Sequence, residues 1–300
     1  MSKTVMTEPV LTQKKQSAKG TETRRIFRVM FGRWVVVLGT IIIVLLIITA
    51  IFAPILSPYP PNQQNLRESE AQPSLQHLLG TDNLGRDVLS RIIFGSRIAI
   101  MVGVVAVTIS GVFGMSLGLL AGYFGGWIQT FIMRIMDALM AFPPIVLIMA
   151  IAVLLGGGLV NVMVAVGVGM IPTYARLMCG QVLSSKENDY ILAANSMGAS
   201  HSRIMVRHLL PNVFPPLLIL ITLNMGTAIL MEASLSFLGI GINPPTATWG
   251  SLVNTGYPYL ITNPLYSLSP GIAILLVVLA FNLVGDGLRD ALDPRLRGSL

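Results

Sequence analysis

Charge, cysteine and catalytic motifs are all scarce in this chain. Only 11% of its 300 residues are Asp, Glu, Lys or Arg, against about 25% in soluble domains. Hydrophobic residues make up 53%, and the mean hydropathy is +0.74. Such a composition excludes an ordinary soluble domain and reads as a polytopic membrane protein. The single cysteine, Cys179, excludes an internal disulfide and reads as a small buried or lipid-facing thiol near the end of an apolar segment. No HExxH, no GxxxxGK[ST] and no Cys/His cluster occurs, and His77, His201 and His208 all fall in polar or boundary segments. A metal site and a phosphate loop are therefore excluded, and any use of ATP must come from another chain. A membrane-embedded enzyme would also need a nucleophile, base or metal constellation, and none is present.

What charge there is has a bias. Twenty Lys and Arg against thirteen Asp and Glu give +7. Lys3, Lys14, Lys15, Lys19, Arg24, Arg25, Arg28 and Arg33 precede the first apolar run, opposed only by Glu8 and Glu22. This reads as a cytosolic basic tail over 1–33 obeying the positive-inside rule, not as a nucleic-acid surface. The first 25 or so residues have no aromatics and no hydrophobic period, which reads as disorder. The run that follows, within 34–56, is too long for a signal-peptide h-region and lacks an Ala-x-Ala site, so it is an uncleaved first transmembrane helix. Five more segments reach the length of about twenty apolar residues that a span requires: 98–122, 131–155, 159–179, 213–240 and 268–288. The fold class expected is an all-α membrane protein with six transmembrane helices and both termini cytosolic, the C-terminal tail being 289–300.

Between the first two spans, 57–96 reads as an extracytoplasmic loop opened by the helix-breaking Ser57-Pro58-Tyr59-Pro60-Pro61. Within it Leu84, Val88, Leu89, Ile92 and Ile93 fall on one helical face, with Arg86, Asp87, Ser90 and Arg91 opposite, predicting an amphipathic helix on the outer surface. As a plain interfacial connector it needs no docking role. Spans two to four carry Gly103, Gly111, Gly114, Gly118, Gly122, Gly167 and Gly169; small residues let helices approach closely in lipid. Phe142-Pro143-Pro144 and Ile171-Pro172 predict kinks in spans three and four.

Charges inside spans are few and costly, which makes each a functional candidate. Asp137 stands three residues from Arg134, and a helix-surface ion pair between them is the plain reading. Glu232 falls late in span five, toward the outer boundary and within reach of water, and with Asn224 and Asp137 it is a candidate for the pathway or its gate.

A polar stretch, DYILAANSMGASHSRIMVRHLLP (189–211), lies between very apolar segments in a loop over 180–212 that the topology places in the cytosol. It predicts one short helix ended by Gly198 and a second over 201–210 closed by Pro211. Ile191, Leu192, Ala194 and Met197 would cover one side of the first helix, while Ala193, Ala194 and Gly198 keep another side flat for a groove on a soluble partner. Asp189, Ala193, Ala194, Gly198, Leu210 and Pro211 are the candidate coupling residues.

This stretch resembles the coupling loop of binding-protein-dependent ABC importer permeases, Glu-Ala-Ala, three residues, Gly, nine residues, then Ile-x-Leu-Pro. Ala193, Ala194, Gly198, Leu210 and Pro211 match, while Leu192 stands in the glutamate position and His208 in the isoleucine position. LLGTDNLGRDVLSR (78–91), EASLSFLGIGINPPTATWG (232–250) and AFNLVGDGLRDALDPRL (280–296) are similar to the C-type permease subunit of dipeptide, oligopeptide and nickel importers. The resemblance implies a type I ABC importer permease fold over 97–288 in a bacterial cytoplasmic membrane. It implies as partners a homologous B-type permease, two cytosolic ATP-binding subunits and an extracytoplasmic substrate-binding protein. ATP and magnesium would be bound by the partner ATPases and no cofactor by this chain, which would be non-catalytic. A peptide importer is the expectation; a nickel or other small-solute importer of the same family, and an ion-gradient-driven secondary transporter, are the alternatives.

Overall fold

The structure, a computed structural model, describes residues 29–292. The basic and disordered-tail reading of the first 28 residues, and the last eight residues of the C-terminal tail, lie outside the described residues. Among the described residues the chain is helical, with no strand beyond a single bridge between Thr81 and Asp87.

Among the described residues nine α-helices of eight residues or more define the architecture: α1 Trp34–Ile51, α2 Val88–Phe124, α3 Gly126–Met140, α4 Pro144–Leu154, α5 Leu159–Ser185, α6 Asp189–Ser196, α7 Leu210–Phe237, α8 Trp249–Gly256 and α9 Pro264–Leu292. Among the described residues five helical rods are long and apolar enough to cross a membrane, and α3 with α4 makes a sixth if that pair, bent by 93°, is counted as one span. The predicted third span is therefore no single straight helix. Pro143 and Pro144 break it, and Pro144 restarts the chain at the first turn of α4, where a missing N–H costs nothing. Pro172, by contrast, is carried inside an unbroken α5.

The centre of the molecule is the α2–α5 pair. Gly114, Gly118 and Gly122 form a stripe on α2, and a Cβ on Gly118 would lie 2.3 Å from the Ala175 carbonyl oxygen and 2.7 Å from Met178 Cβ. At Gly114 the intruded atoms would be Tyr174 Cβ and the Ile171 carbonyl oxygen, at 2.6 and 2.7 Å. The glycines thus bring two backbones into contact, the mode of association that works where lipid removes the hydrophobic drive. Gly167 on α5 answers from the other side against Ile109. α4 and α7 then pack on this pair, burying Ile148, Val166, Met170, Leu217 and Ala228. α1 lies at the periphery: Gly39 seats it on Ala280 of α9, and only Val36, Gly39, Leu46 and Ala50 are buried along it.

The segment before α2 departs from expectation. No amphipathic helix begins at Leu84. Asp82 Oδ1 accepts from the backbone N–H groups of Leu84 and Arg86, each at 2.9 Å, and Gly85 sits at φ +67°, a left-handed conformation that stops helical propagation. The helix starts at Val88, capped by Asp87, whose Oδ2 accepts from the Ser90 N–H at 2.7 Å and the Ser90 hydroxyl at 2.6 Å. The supposed polar face is not solvated either, because Arg86, Asp87, Ser90 and Arg91 are all buried. Arg86 Nε donates to Asp82 Oδ2 at 2.6 Å and Arg91 Nε lies 3.6 Å from the same oxygen. Arg91 Nη1 also donates to the Pro61 carbonyl at 3.0 Å, and His77 Nδ1 lies 2.9 Å from Asp87 Oδ1. Gln72 Nε2 donates to the Thr262 carbonyl at 2.9 Å, which ties this polar unit to the loop before α9. The helix then runs on into the span; 37 residues make a rod of about 55 Å, longer than the roughly 30 Å of hydrocarbon.

Two outcomes follow. Gly118→Val drives a branched side chain into the Ala175 carbonyl and should cost about 1–3 kcal/mol or more, read as a lowered unfolding temperature in detergent, whereas Gly180→Ala, with open space around it, should not shift it. Asp82→Ala leaves two buried guanidinium groups without their carboxylate, a loss of about 3–5 kcal/mol, and limited proteolysis should then cut within residues 57–87 at protease levels the parent resists.

Candidate functional site

α5 ends at Ser185 and the chain turns through Lys186 to Asn188 into α6. Asp189 opens α6, where a carboxylate complements the exposed N–H groups of a first turn. At the other end Gly198 takes φ +76°, and the Ala199 N–H returns to the Ala194 carbonyl at 3.1 Å, closing the helix as predicted. Among the described residues, its chain neighbours aside, no atom lies within 4 Å of where a Gly198 Cβ would sit.

The division of faces on α6 differs from the sequence expectation. Ile191 and Ala194 point inward and are buried, joining Ile204, Leu209 and Tyr174 in the main core. Leu192, Ala193 and Met197 are exposed with Asp189 and Tyr190, Met197 at 81%. Of the proposed coupling residues, Ala194 therefore belongs to the anchor of the helix and not to its outer surface. Leu192 and Met197 belong to the outer surface and not to the inner one. The reason is the reach of the loop: α6 lies back on the bundle, so the residues at i and i+3 that touch the core are 191 and 194.

Pro211 closes nothing. One turn of helix from His201, a stretch of wider π geometry at Ile204–Leu209 and α7 are a continuous rod, His201–Phe237. Leu210 and Pro211 fall in the first turn of α7, where a proline is compatible with a helix, and Pro211 is exposed while Leu210 is half-buried. Asn212, which sequence reasoning passed over, is the tie between the two helices of the loop: its Nδ2 donates to Tyr190 Oη at 3.2 Å and to the His208 carbonyl at 2.7 Å. Two further contacts went unread. Tyr123 Oη lies 2.7 Å from His201 Nδ1, and Lys186 Nζ donates to the Gly122 carbonyl at 3.3 Å. Each joins this loop to the end of α2. Only the position of Asn212 one residue past Leu-Pro could have flagged it in sequence. Beside α6 an open cleft of about 490 Å³ is floored by Tyr123, Phe124 and Ile191 and rimmed by Lys186, Glu187 and Leu192.

The candidate pathway residues do not converge. Asp137 pairs with Arg176 of α5, Nη2 to Oδ1 at 2.6 Å, with both side chains about half exposed. The expected partner, Arg134 on the same helix, is not the one chosen, since α3 packs on α5 and brings the guanidinium across. Glu232 is 2% exposed and so is not at a wet boundary. The Ser236 hydroxyl donates to its Oε1 at 2.7 Å, and that hydroxyl also accepts from the Ile242 N–H at 3.4 Å. Among the described residues no cation pairs with Glu232. Its carboxyl group holds the turn after α7 in place, which is a structural arrangement of the kind a buried polar group requires. Asn224 lines a separate cavity at the break between α3 and α4. Among the described residues no cluster of His, Cys, Asp and Glu could hold a metal ion.

Comparison with known proteins bears on this geometry. Residues 114–298 match the family described as binding-protein-dependent transport system inner membrane component, and residues 21–73 match the N-terminal TM domain of oligopeptide transport permease C. A dipeptide transport system permease protein of Alkalihalophilus pseudofirmus is 41% identical over 91% of this chain and 90% of its own length. A glutathione transport system permease protein of Pectobacterium atrosepticum is 42% identical over 92% of each chain, and one of Escherichia coli is 44% identical over 87% of this chain and 86% of its own. Among solved structures, the methionine ABC transporter in an inward-facing conformation matches with a TM-score of 0.53 at 20% identity, over 68% of this chain and 97% of that one. This last likeness is one of fold.

Asn212→Ala removes the hydrogen bond from α7 to Tyr190 of α6, together with the bond to the His208 carbonyl within the rod. It should leave the bundle folded, since Asn212 is exposed, and cost about 1 kcal/mol locally; amide exchange should rise across 189–197 and stay unchanged in α2 and α5.

Proposed function

The chain belongs to the family of binding-protein-dependent transport system inner membrane components, and we propose on that basis that it is the permease subunit of an ATP-driven peptide importer. It is a multi-pass membrane protein. In this reading it sits in a bacterial cytoplasmic membrane with both termini in the cytosol and supplies half of the translocation pathway. A homologous B-type permease supplies the other half. Two cytosolic ATP-binding subunits hold ATP and magnesium, an extracytoplasmic protein delivers the substrate, and this chain itself catalyses nothing.

One observation carries the reading: α6 is a short helix anchored from beneath by Ile191 and Ala194, with its small and apolar outer residues Ala193, Leu192 and Met197 left uncovered. An apolar tip of this kind at the end of a membrane bundle is a surface for a soluble partner. Asp189, Ala193 and Gly198 face that partner, Ala194 and Leu210 fix the helix to the bundle, and Pro211 starts the rod that follows. Approach of the ATP-binding subunits would press on α6. The Tyr190–Asn212–His208 hydrogen bonds pass that displacement to α7, which switches between inward-facing and outward-facing arrangements only insofar as the partner binds the two states differently. The family's glutamate position is Leu192, 53% exposed, so docking here rests on apolar fit and on neighbouring charges such as Glu187 and Asp189. The class of substrate is supported by the relatives, whose names state transport of a dipeptide and of glutathione, both short peptides.

Gly198→Asp tests the coupling role, since Asp tolerates a positive φ better than most residues and no atom among the described residues crowds the site. The variant should assemble in the membrane, yet lose substrate-stimulated ATP hydrolysis and uptake in proteoliposomes. Full activity would remove the coupling assignment. Uptake that persists with catalytically dead ATP-binding subunits would remove the importer reading itself.

A further inference from the structure

α3 departs from the direction of the bundle. By composition it forms one span with α4, yet the two meet at 93°, and the direction of α4 is set by α5. Pro144 at the start of α4 shares a cavity with Pro172 and Thr173 of α5, Ile148 fills the space that a Gly169 Cβ would need, and residues 155–158 join the end of α4 to the start of α5. The two helices therefore run side by side in opposite directions, and α3 turns away from both. Its climb can be read along α5. Gly122, just before α3, packs on Cys179 and Val182, while Pro144, just after it, stands with Pro172 and Thr173. Those levels are about 6–10 residues apart, or roughly 9–15 Å of rise, whereas the 15 residues of α3 are about 22 Å long. With α5 crossing the membrane, α3 lies closer to the membrane plane than to its normal. Gln181, Ser184, Ser185 and Lys186 crowd the last turns of α5, which places this end of the bundle, the one that carries α6, at the polar boundary.

The surface of α3 divides along its length. Met136 alone is buried, with Ile128, Ile132 and Leu139 half-buried on the same side against the bundle. Trp127, Phe131 and Ile135, four residues apart, form an exposed apolar strip, with Trp127 77% and Phe131 61% exposed. Beside it Thr130, Arg134 and Asp137 form an exposed polar strip. Asp137 is neutralised by Arg176, whereas Arg134 makes no ion pair among the described residues. The free charge on this strip is therefore positive. A helix crossing hydrocarbon would not leave a guanidinium bare, and one surrounded by water would not leave two neighbouring aromatic rings bare. An apolar strip beside a basic one, on a helix lying across the bundle at its polar end, is the pattern of a helix seated in the membrane interface.

We infer that α3 is an interfacial helix of the leaflet on the α6 side, with Trp127, Phe131 and Ile135 set among acyl chains and the Arg134 guanidinium on the phosphate of an anionic phospholipid. Aromatic rings at headgroup level suit this depth, since an apolar body and a polar edge are both satisfied there. Arginine suits the phosphate, because its planar fork donates two parallel hydrogen bonds to a pair of phosphate oxygens. The climb of α3 then carries its far end from the headgroups toward the break at Pro143, so that only α4 continues into the hydrocarbon. The inference goes beyond the importer reading and holds whatever solute is carried, as it concerns the lipid around the chain and not the path through it.

The test uses the full chain assembled with its co-expressed partner subunits in proteoliposomes of phosphatidylcholine and phosphatidylglycerol. In a Cys179→Ala background, single cysteines replace Trp127, Phe131, Ile135, Thr130 and Arg134 in turn and carry a nitroxide, whose collisions with oxygen report lipid and with a water-soluble nickel chelate report water. Labels at 127, 131 and 135 should meet oxygen and exclude nickel, and those at 130 and 134 should do the reverse. Shielding of the first three from both reagents means that protein, such as the partner permease, covers the strip, and overturns the inference. Nickel reaching them as freely as position 130 means an aqueous path on both sides, and overturns it too. For the phosphate contact, a fluorophore at Phe131→Cys is quenched by brominated phosphatidylglycerol or brominated phosphatidylcholine. Arg134→Gln should lower the local preference for the anionic lipid about threefold to fivefold, the effect of one basic residue at a membrane surface, and Arg134→Lys should keep most of it. An unchanged preference in Arg134→Gln would remove the phosphate contact. Neither measurement requires transport, so a failure of the importer reading leaves this one standing, and its own failure leaves that reading intact.

Discussion

The contact on which the rest of this fold depends is the one between the backbones of α2 and α5. In a bilayer, apolar side chains gain nothing by leaving lipid for protein, so association must come from fit. Three glycines spaced one turn apart supply it, each lying where even a methyl group would meet a carbonyl oxygen or a Cβ of α5. Once these two helices are fixed, α4 and α7 have a surface to pack on. α3 is held by the Asp137–Arg176 pair at its far end, and α1 and α9 complete the outside. The cavity at the α3–α4 break and the loop that carries α6 both take their positions from that one seam.

Much of this was legible in the sequence for a physical reason. Membrane spans declare themselves by length and composition, and the glycine stripe declares itself by period, because both follow from the solvent. The left-handed end of α6 at Gly198 was also readable, since only a residue without Cβ takes that conformation freely. Side-chain direction was not. A helix of eight residues gives too short a period to say whether Ala194 or Leu192 turns inward; that depends on how far the loop folds back on the bundle. Glu232 misled for a similar reason, as its place near the end of an apolar run suggested water, while the turn at Ile242 and α8 behind it exclude it.

The segment around Asp82 shows a different limit. Its apolar residues do recur at helical spacing, and a hydrophobic count alone returns a helix. The backbone chooses otherwise because one carboxylate collects the N–H groups of Leu84 and Arg86 and two guanidinium groups, and a glycine in the left-handed region turns the chain. Local hydrogen bonding to an Asx residue competes with helix formation wherever it is available. Here it also has a burial to organise. Charged residues that look solvent-facing in a helical projection are in fact the interior of a small polar unit, held to α2 by Asp87 and Ser90 and to the loop before α9 by Gln72.

The continuity of His201–Phe237 gives the molecule a lever arm in the literal sense. Thirty-seven residues at 1.5 Å each make a rod of about 55 Å, and a tilt of about 5° at one end carries the other through about 5 Å. A flexible loop at Pro211 would have absorbed such a tilt within a residue or two. With Pro211 placed where a helix accepts it, the weak points of the rod are the widened turn at Ile204–Leu209 and the interior pair Pro215 and Pro216, which lack helical N–H donors; in the proposed coupling role, what bends there decides how much of a push at α6 arrives at the level of Asn224.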